Sequence, residues 1–182
     1  SGVLIEDVLI VCPGTPGSAG VTNKNYTIRR SEVSSCENIL WSDGNVTIED
    51  NYLHDPIDPF TPGCPDGVCH TDTIQLRSPA ANTRIVHNTI YGGYISQTNF
   101  GTSAIIAAHQ SSVTNVVVND NLLAGGGYTL YCPGIDGGFT WNNNRFSRIF
   151  VNTVGGFGPL YPTCSQHTHS GNVYHETGQP ID

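Results

Sequence analysis

Cationic side chains are scarce in this chain. Lys24 is the one lysine, and Lys and Arg together number 7 against 15 Asp and Glu, a formal charge of −8 over 182 residues. Such a surface has nothing with which to neutralise a row of phosphates, which argues against nucleic acid as a partner. It also lacks the basic cluster that would hold an anionic membrane surface. No apolar run approaches the roughly eighteen residues of a membrane-spanning helix. The N-terminus has no basic segment followed by an apolar one, so no signal peptide is visible. Instead Ser1-Gly2-Val3-Leu4-Ile5 reads as a strand starting at once, which we read as a mature or excised piece of a larger chain. Helical periodicity is missing too: no stretch is long enough to oppose the period-two alternation of the short apolar runs.

Six cysteines are present, an even number, and the close pair Cys64 and Cys69 sits in a Pro- and Gly-rich loop rather than in zinc-like spacing. Three disulfides and a secreted, oxidising location are expected. Two sequons, Asn25-Tyr26-Thr27 and Asn45-Val46-Thr47, matter only in a eukaryotic secretory pathway.

What the chain does contain is an internal repeat. The segments beginning Asn25-YTIRRSEV, Asn45-VTIEDNYLHD, Asn82-TRIVHNTIYGG, Asn115-VVVNDNLLAGG and Gly138-FTWNNNRFSR share one template, and Val3-LIEDVLIV fits it as well. Apolar and polar residues alternate, then two polar residues, usually with Asn, precede another apolar one. Ile5, Ile28, Ile48, Ile85, Val118 and Trp141 are equivalent, so the steps are 23, 20, 37, 33 and 23 residues. The two long steps carry loops, at about 55–69 and about 92–101. Between templates lies a second strand-like unit: Glu37-NILWSD, His70-TDTIQLR, Ser103-AIIAAHQ, Tyr128-TLYC and Ile149-FVN. Strand pairs at this interval, with one strand per face in each coil, are what a parallel β-solenoid needs. Asn suits its corners, because it tolerates left-handed backbone angles and can hydrogen-bond its copy in the next coil. Aligning the coils pairs Cys12 with Cys36 and places Cys64–Cys69 within the loop, leaving Cys132 for Cys164. A β-sandwich also has many short strands, but it has no long superposed repeat.

The phrases NVTIEDNYLHD, NTRIVHNTIYGG and VVVNDNLLAGG, with HTDTIQLR between them, resemble the right-handed parallel β-helix proteins of the pectate-lyase-like superfamily. More narrowly, they resemble secreted bacterial β-helix repeat proteins with an H-[ST]-D-x-I-Q segment. The resemblance covers nearly the whole chain. It implies an all-β, right-handed parallel β-helix of about six to seven coils, a single domain over residues 1–182. It carries little about function, because this fold hosts lyases, hydrolases, epimerases, phage tailspikes and binding modules.

Candidate chemistry centres on the decorated loop and the strand after it. His70 and Asp72 are read as an acid/base pair in the turn before Ile74, with His109 and His54 as further imidazoles able to converge there. Thr73, Gln75 and Arg77 are read as outward-facing, lining a groove in which the Arg77 guanidinium holds a uronate carboxylate or an enolate-like intermediate. The plainer alternatives are a hydrogen-bonded turn for Asp72 and a solvated sheet-face arginine for Arg77. Asp55, Asp58 and Asp66 supply oxygen ligands of the kind Ca²⁺ takes, without EF-hand spacing. Tyr91 and Tyr94, around Gly92-Gly93, are candidates for stacking on sugar rings, whereas Trp141 falls at an inward template position.

Paired-Asp and G-H-G polygalacturonase runs, the Arg-rich segment of calcium-dependent pectate lyases and the D-P-H-E run of alginate epimerases are all missing. The reading is therefore a monomeric secreted protein acting on a polysaccharide, acidic or of plant or microbial origin, as a lyase or glycoside hydrolase. The alternatives are a non-catalytic carbohydrate-binding module and a structural β-helix such as a phage-tail or surface-appendage segment.

Overall fold

Short strands separated by bends join three parallel sheets in strict rotation in a computed structural model, which describes residues 2–77, 80–96, 98–107, 113–135 and 137–181, with the Ile95 side chain left aside. The first sheet takes Val3–Glu6, Tyr26–Arg29, Val46–Glu49, Ala81–Val86, Thr114–Asn119, Phe139–Asn142 and Thr168–Ser170. The second takes Leu9–Val11, Glu32–Ser34, Tyr52–His54, Thr89–Tyr91, Leu122–Ala124, Arg145–Phe146 and Val173–Tyr174. The third takes Ala19–Val21, Asn38–Ser42, Asp72–Leu76, Ser103–Ala107, Tyr128–Tyr131 and Gly158–Leu160. Each strand pairs in parallel with its counterparts one repeat before and after. The antiparallel hairpin Tyr94–Ser96/Asn99–Phe100 is a local addition inside a loop. Parallel pairing throughout the three sheets rules out the sandwich and is compatible with a parallel β-helix.

The repeat alignment holds residue for residue. Ile5, Ile28, Ile48, Ile85, Val118 and Trp141 are successive register partners across the first sheet. Trp141 is wholly buried, in one apolar core that also takes Val33, Leu53 and Ile90 from the second sheet and Leu40, Ile74 and Ile105 from the third. Six to seven repeats were expected, and the sheets hold seven, seven and six strands.

Two expectations need correction. The repeat has three strands rather than two, because the template is itself bent. A left-handed residue follows each first-sheet strand: Asp7, Arg30, Asp50, His87, Asp120, Asn143 or Gly171, with φ of 48° to 67°. It turns the chain onto the second sheet within two residues. The second residue of that turn is a buried Asn at 51, 88, 121, 144 and 172. The Nδ2 of Asn121 donates to Ile85 O at 2.9 Å and to Asn144 Oδ1 at 3.0 Å, while its Oδ1 accepts from the backbone N and the Nδ2 of Asn88. The same contacts recur along the column, so backbone groups stranded by the bend are satisfied in every repeat. A second, exposed column runs Asn25, Asn45, Asn82 and Asn115, also left-handed and joined by amide–amide bonds of 2.8 to 3.1 Å. Secondly, Ile149–Asn152 is not a strand: Gly158–Leu160 pairs with Tyr128–Tyr131 instead, and Ile149 is exposed. An apolar run becomes a strand only where a sheet edge is there to receive it.

Disulfides join Cys12 to Cys36, Cys64 to Cys69 and Cys132 to Cys164, the pairing expected from the repeat. Three disulfides fit an oxidising, extracellular environment. Among the described residues no helix is long and apolar enough to cross a membrane.

Candidate functional site

Every first-to-second-sheet corner is two residues long, whereas the second-to-third-sheet corners vary widely. Asp55–Thr71 is the longest, and Gly92–Thr102 and Ser147–Phe157 follow with eleven residues each. The first two of these loops stand over the same part of the third sheet. Between them lies a cleft of about 370 Å³, with Pro59, Phe60, Val68 and His70 on one wall and Thr98, Phe100 and Gly101 on the other. Tyr131 and Phe157 line it as well. Phe60, Val68 and Phe157 are large exposed hydrophobic side chains at its rim, a concentration that marks a contact surface more often than chance placement does.

The cleft opens beside a row on the outer face of the third sheet. Trp41, Gln75, Ile106 and Tyr131 are successive register partners, and Tyr161 continues the row beyond the Leu130–Leu160 pair. All five are half-buried, while their strand neighbours Leu40, Ile74, Ile105 and Leu130 lie in the core. At the spacing of parallel strands the row is about 19 Å long. Its far end is an aromatic cluster: Tyr131 stacks on Tyr161 at 4.8 Å, and Tyr128 packs edge-on against both. Tyr128 also meets Phe157, which meets Phe100.

Asp72 lies in the strand and not in the turn before it, against expectation. It is 1% exposed and is register partner to Ser103, whose Oγ donates to Asp72 Oδ1 at 2.5 Å, and its backbone N–H donates to Asn38 Oδ1. Burial raises its carboxyl to about 7, the nearby Glu37 carboxylate adds to this, and the Ser103 bond opposes it. Burial and the Asp72 charge together raise the Tyr131 phenol to about 12. Asp72 is thus next to the cleft, between His70 and the partner strand that follows Thr102, but shielded from solvent. Three consecutive residues, Asp72, Thr73 and Ile74, are buried, so alternation fails where the strand begins.

The other predicted residues separate. His70 is exposed on the cleft wall, and no hydrogen bond joins it to Asp72 among the described residues. His54 is on the second sheet, its Nδ1 2.8 Å from Asp55 and its Nε2 3.1 Å from Glu32, with its ring stacked on Tyr52. It does not join His70. His109 lies outside the described residues. Thr73 does not face outward: it is fully buried and its hydroxyl donates to Tyr91 O. Gln75 does lie in the outward row. Arg77 is already engaged, donating from Nε and Nη2 to the two Asp43 oxygens at 2.7 and 2.6 Å, with its guanidinium 4.5 Å over the Trp41 ring.

Tyr91 and Tyr94 sit away from the cleft and pack on Phe150, at 5.3 and 5.9 Å. Tyr94 lines a separate groove of about 590 Å³ with Arg148 and Asn152. Asp55, Asp58 and Asp66 are not brought together into one group. Asp55 accepts from His54, Asp58 Oδ1 accepts from the Phe60 N–H, and Asp66 is an exposed left-handed turn residue. Among the described residues no three His, Cys, Asp or Glu side chains are grouped as a metal would require. Sequence reasoning missed the row residues Trp41 and Tyr131, although both stand in the second strand-like units. Their shared position, one residue after the core residue in NILWS and YTLY, was the signal that places them. Phe60 and Phe157 had none.

No family model, no curated protein and no solved structure matches the chain.

Proposed function

We propose that this chain is a secreted, right-handed parallel β-helix of the pectate-lyase-like kind that binds a polysaccharide along the outer face of its third sheet. The observation that carries the reading is the row of Trp41, Gln75, Ile106, Tyr131 and Tyr161 running beside the cleft, which Tyr131 also lines. Half-exposed aromatic rings present apolar area with a polar edge, which suits the apolar face and hydroxyl rim of a pyranose. The test is retention on insoluble polysaccharides together with affinity electrophoresis on soluble ones. Tyr131→Ala and Tyr161→Ala are each expected to weaken binding about tenfold, the share of a central aromatic anchor. Tyr94→Ala, on the separate groove, should leave it unchanged. Equal loss in all three variants, or none in any, would overturn this placement.

A second reading, cleavage of the bound chain, is favoured by one observation: the Asp72 carboxyl, raised to about 7 beside the cleft, has the acidity of a general acid or base at neutral pH. Its burial requires the cleft loops to part before it meets a glycan. The assay follows unsaturated-uronate absorbance and reducing ends together, with and without Ca²⁺. Both signals rising and both lost in Asp72→Asn would make this a lyase. Reducing ends alone would make it a hydrolase, and silence in both with retained binding leaves the binding module.

A further inference from the structure

We infer that the third-sheet site takes a neutral glycan and turns away polyuronates. This rests on the carbohydrate-binding reading above and narrows its substrate class.

A polyuronate needs cations along its path, and this face has none to spare. Of the seven Lys and Arg, three belong to the first-sheet side. Arg29 and Arg30 are paired with Glu6, and Arg84 stands on a first-sheet strand. Two more lie toward the C-terminal segment: Arg145 donates to His175 Nδ1, and Arg148 sits 4.2 Å over the Tyr174 ring. Lys24 is in the bend that leads into the first sheet.

That leaves Arg77 beside the row. Its Nε and Nη2 reach the two Asp43 oxygens side by side, which is the geometry a uronate carboxylate would itself require. The chain has supplied the carboxylate internally, and the guanidinium so neutralised sits 4.5 Å over the Trp41 ring. The carboxylates nearest the cleft flank its lining residues without joining them. Glu37 Oε2 is 3.5 Å from Cys69 Sγ and accepts from the Gly17 N–H, and Asp58 Oδ1 accepts from the Phe60 N–H. Neither is in an ion pair among the described residues. A polyanion laid on this face would meet like charge with no compensating cation, while a neutral chain loses nothing.

The experiment is affinity electrophoresis of the parent protein on hydroxyethylcellulose and mixed-linkage β-glucan, against polygalacturonate and alginate, at about 20 mM and about 200 mM salt. The expected result is retardation by a neutral polymer, at least about tenfold stronger than by either polyuronate at low salt, and changing less than about twofold with salt. Asp43→Asn, which leaves Arg77 unpaired, should then gain polyuronate binding that salt abolishes. Polyuronate retarding the parent more strongly at low salt than at high would overturn the neutral-glycan inference while leaving carbohydrate binding intact. Retardation by no polymer of either kind would overturn carbohydrate binding itself.

Discussion

The corner between the first and second sheets and the corner between the second and third sheets belong to the same repeat, yet they behave oppositely. The first is two residues long in all seven occurrences, a left-handed residue followed, in the last five, by a buried Asn. The second runs from three residues at Ser35–Glu37 to the seventeen-residue span of Asp55–Thr71. The difference follows from where the backbone polar groups go. In the first corner they are turned toward the core and, in the last five, are met by an amide from the neighbouring repeat, so the length does not drift and the second residue stays Asn there. In the second the chain leaves the sheets, and water, loop contacts and disulfides take over. A rigid corner that sets register lets the other build a cleft.

The largest expected effect breaks the rigid corner. Asn121→Ala deletes four hydrogen bonds, taking the acceptor from Asn88 N and the side-chain donor from Ile85 O, while Asn88 Nδ2 keeps Ile48 O and Val86 O. With each orphaned buried group costing about 1–3 kcal/mol, urea unfolding should show a loss of at least about 3 kcal/mol. Asn121→Ser should lose clearly less. Ser31 already stands at this position, its Oγ accepting from Val8 N and donating to Arg29 O. Equal losses in the two variants would mean the column is packing rather than hydrogen bonding.

The second effect lies where the variable corner re-enters the third sheet. The folded Asp72 carboxyl titrates near 7, above its ordinary value of 3.8. Between those values the unfolded chain ionises this group and the folded chain does not, so stability falls as pH rises through the window and levels off above it. Asp72→Asn removes this dependence. Its stability relative to the parent should be near zero at about pH 4 and grow to a few kcal/mol by about pH 8. Unfolding midpoints over that range check it, and a flat difference would refute the burial of the charge. The smallest effect belongs to the exposed column. Asn115→Ala loses one surface amide bond to Asn82 and places Ala at φ 52°, so about 1 kcal/mol is expected by the same unfolding assay.

The repeat was legible because stacked strands repeat their inward side chains. Ile28, Ile48 and Ile85 align by eye, and so do the cysteines that bridge neighbouring repeats. The bend inside NVTIEDNYL was not legible, since alternation reads across Asp50 and Asn51 as though the strand continued. Asp72 and Thr73 were misplaced for a related reason. Alternation assigns faces only inside a regular strand, and both sit where three consecutive residues are buried. Arg77 was assigned a ligand, but Asp43, its actual partner, is 34 residues earlier in the chain and one repeat away.

The sequence by itself determined the all-β class, the register of the repeat, the three disulfides and the poverty of cations, because each is a matter of periodicity or composition. Only the tertiary structure decided that three sheets form instead of two faces, that His54 parts from His70, that Asp72 is buried beside a cleft, and that Arg77 is already paired. Those outcomes depend on which side chains from distant repeats arrive at one place, and hence on loop paths that no local pattern encodes.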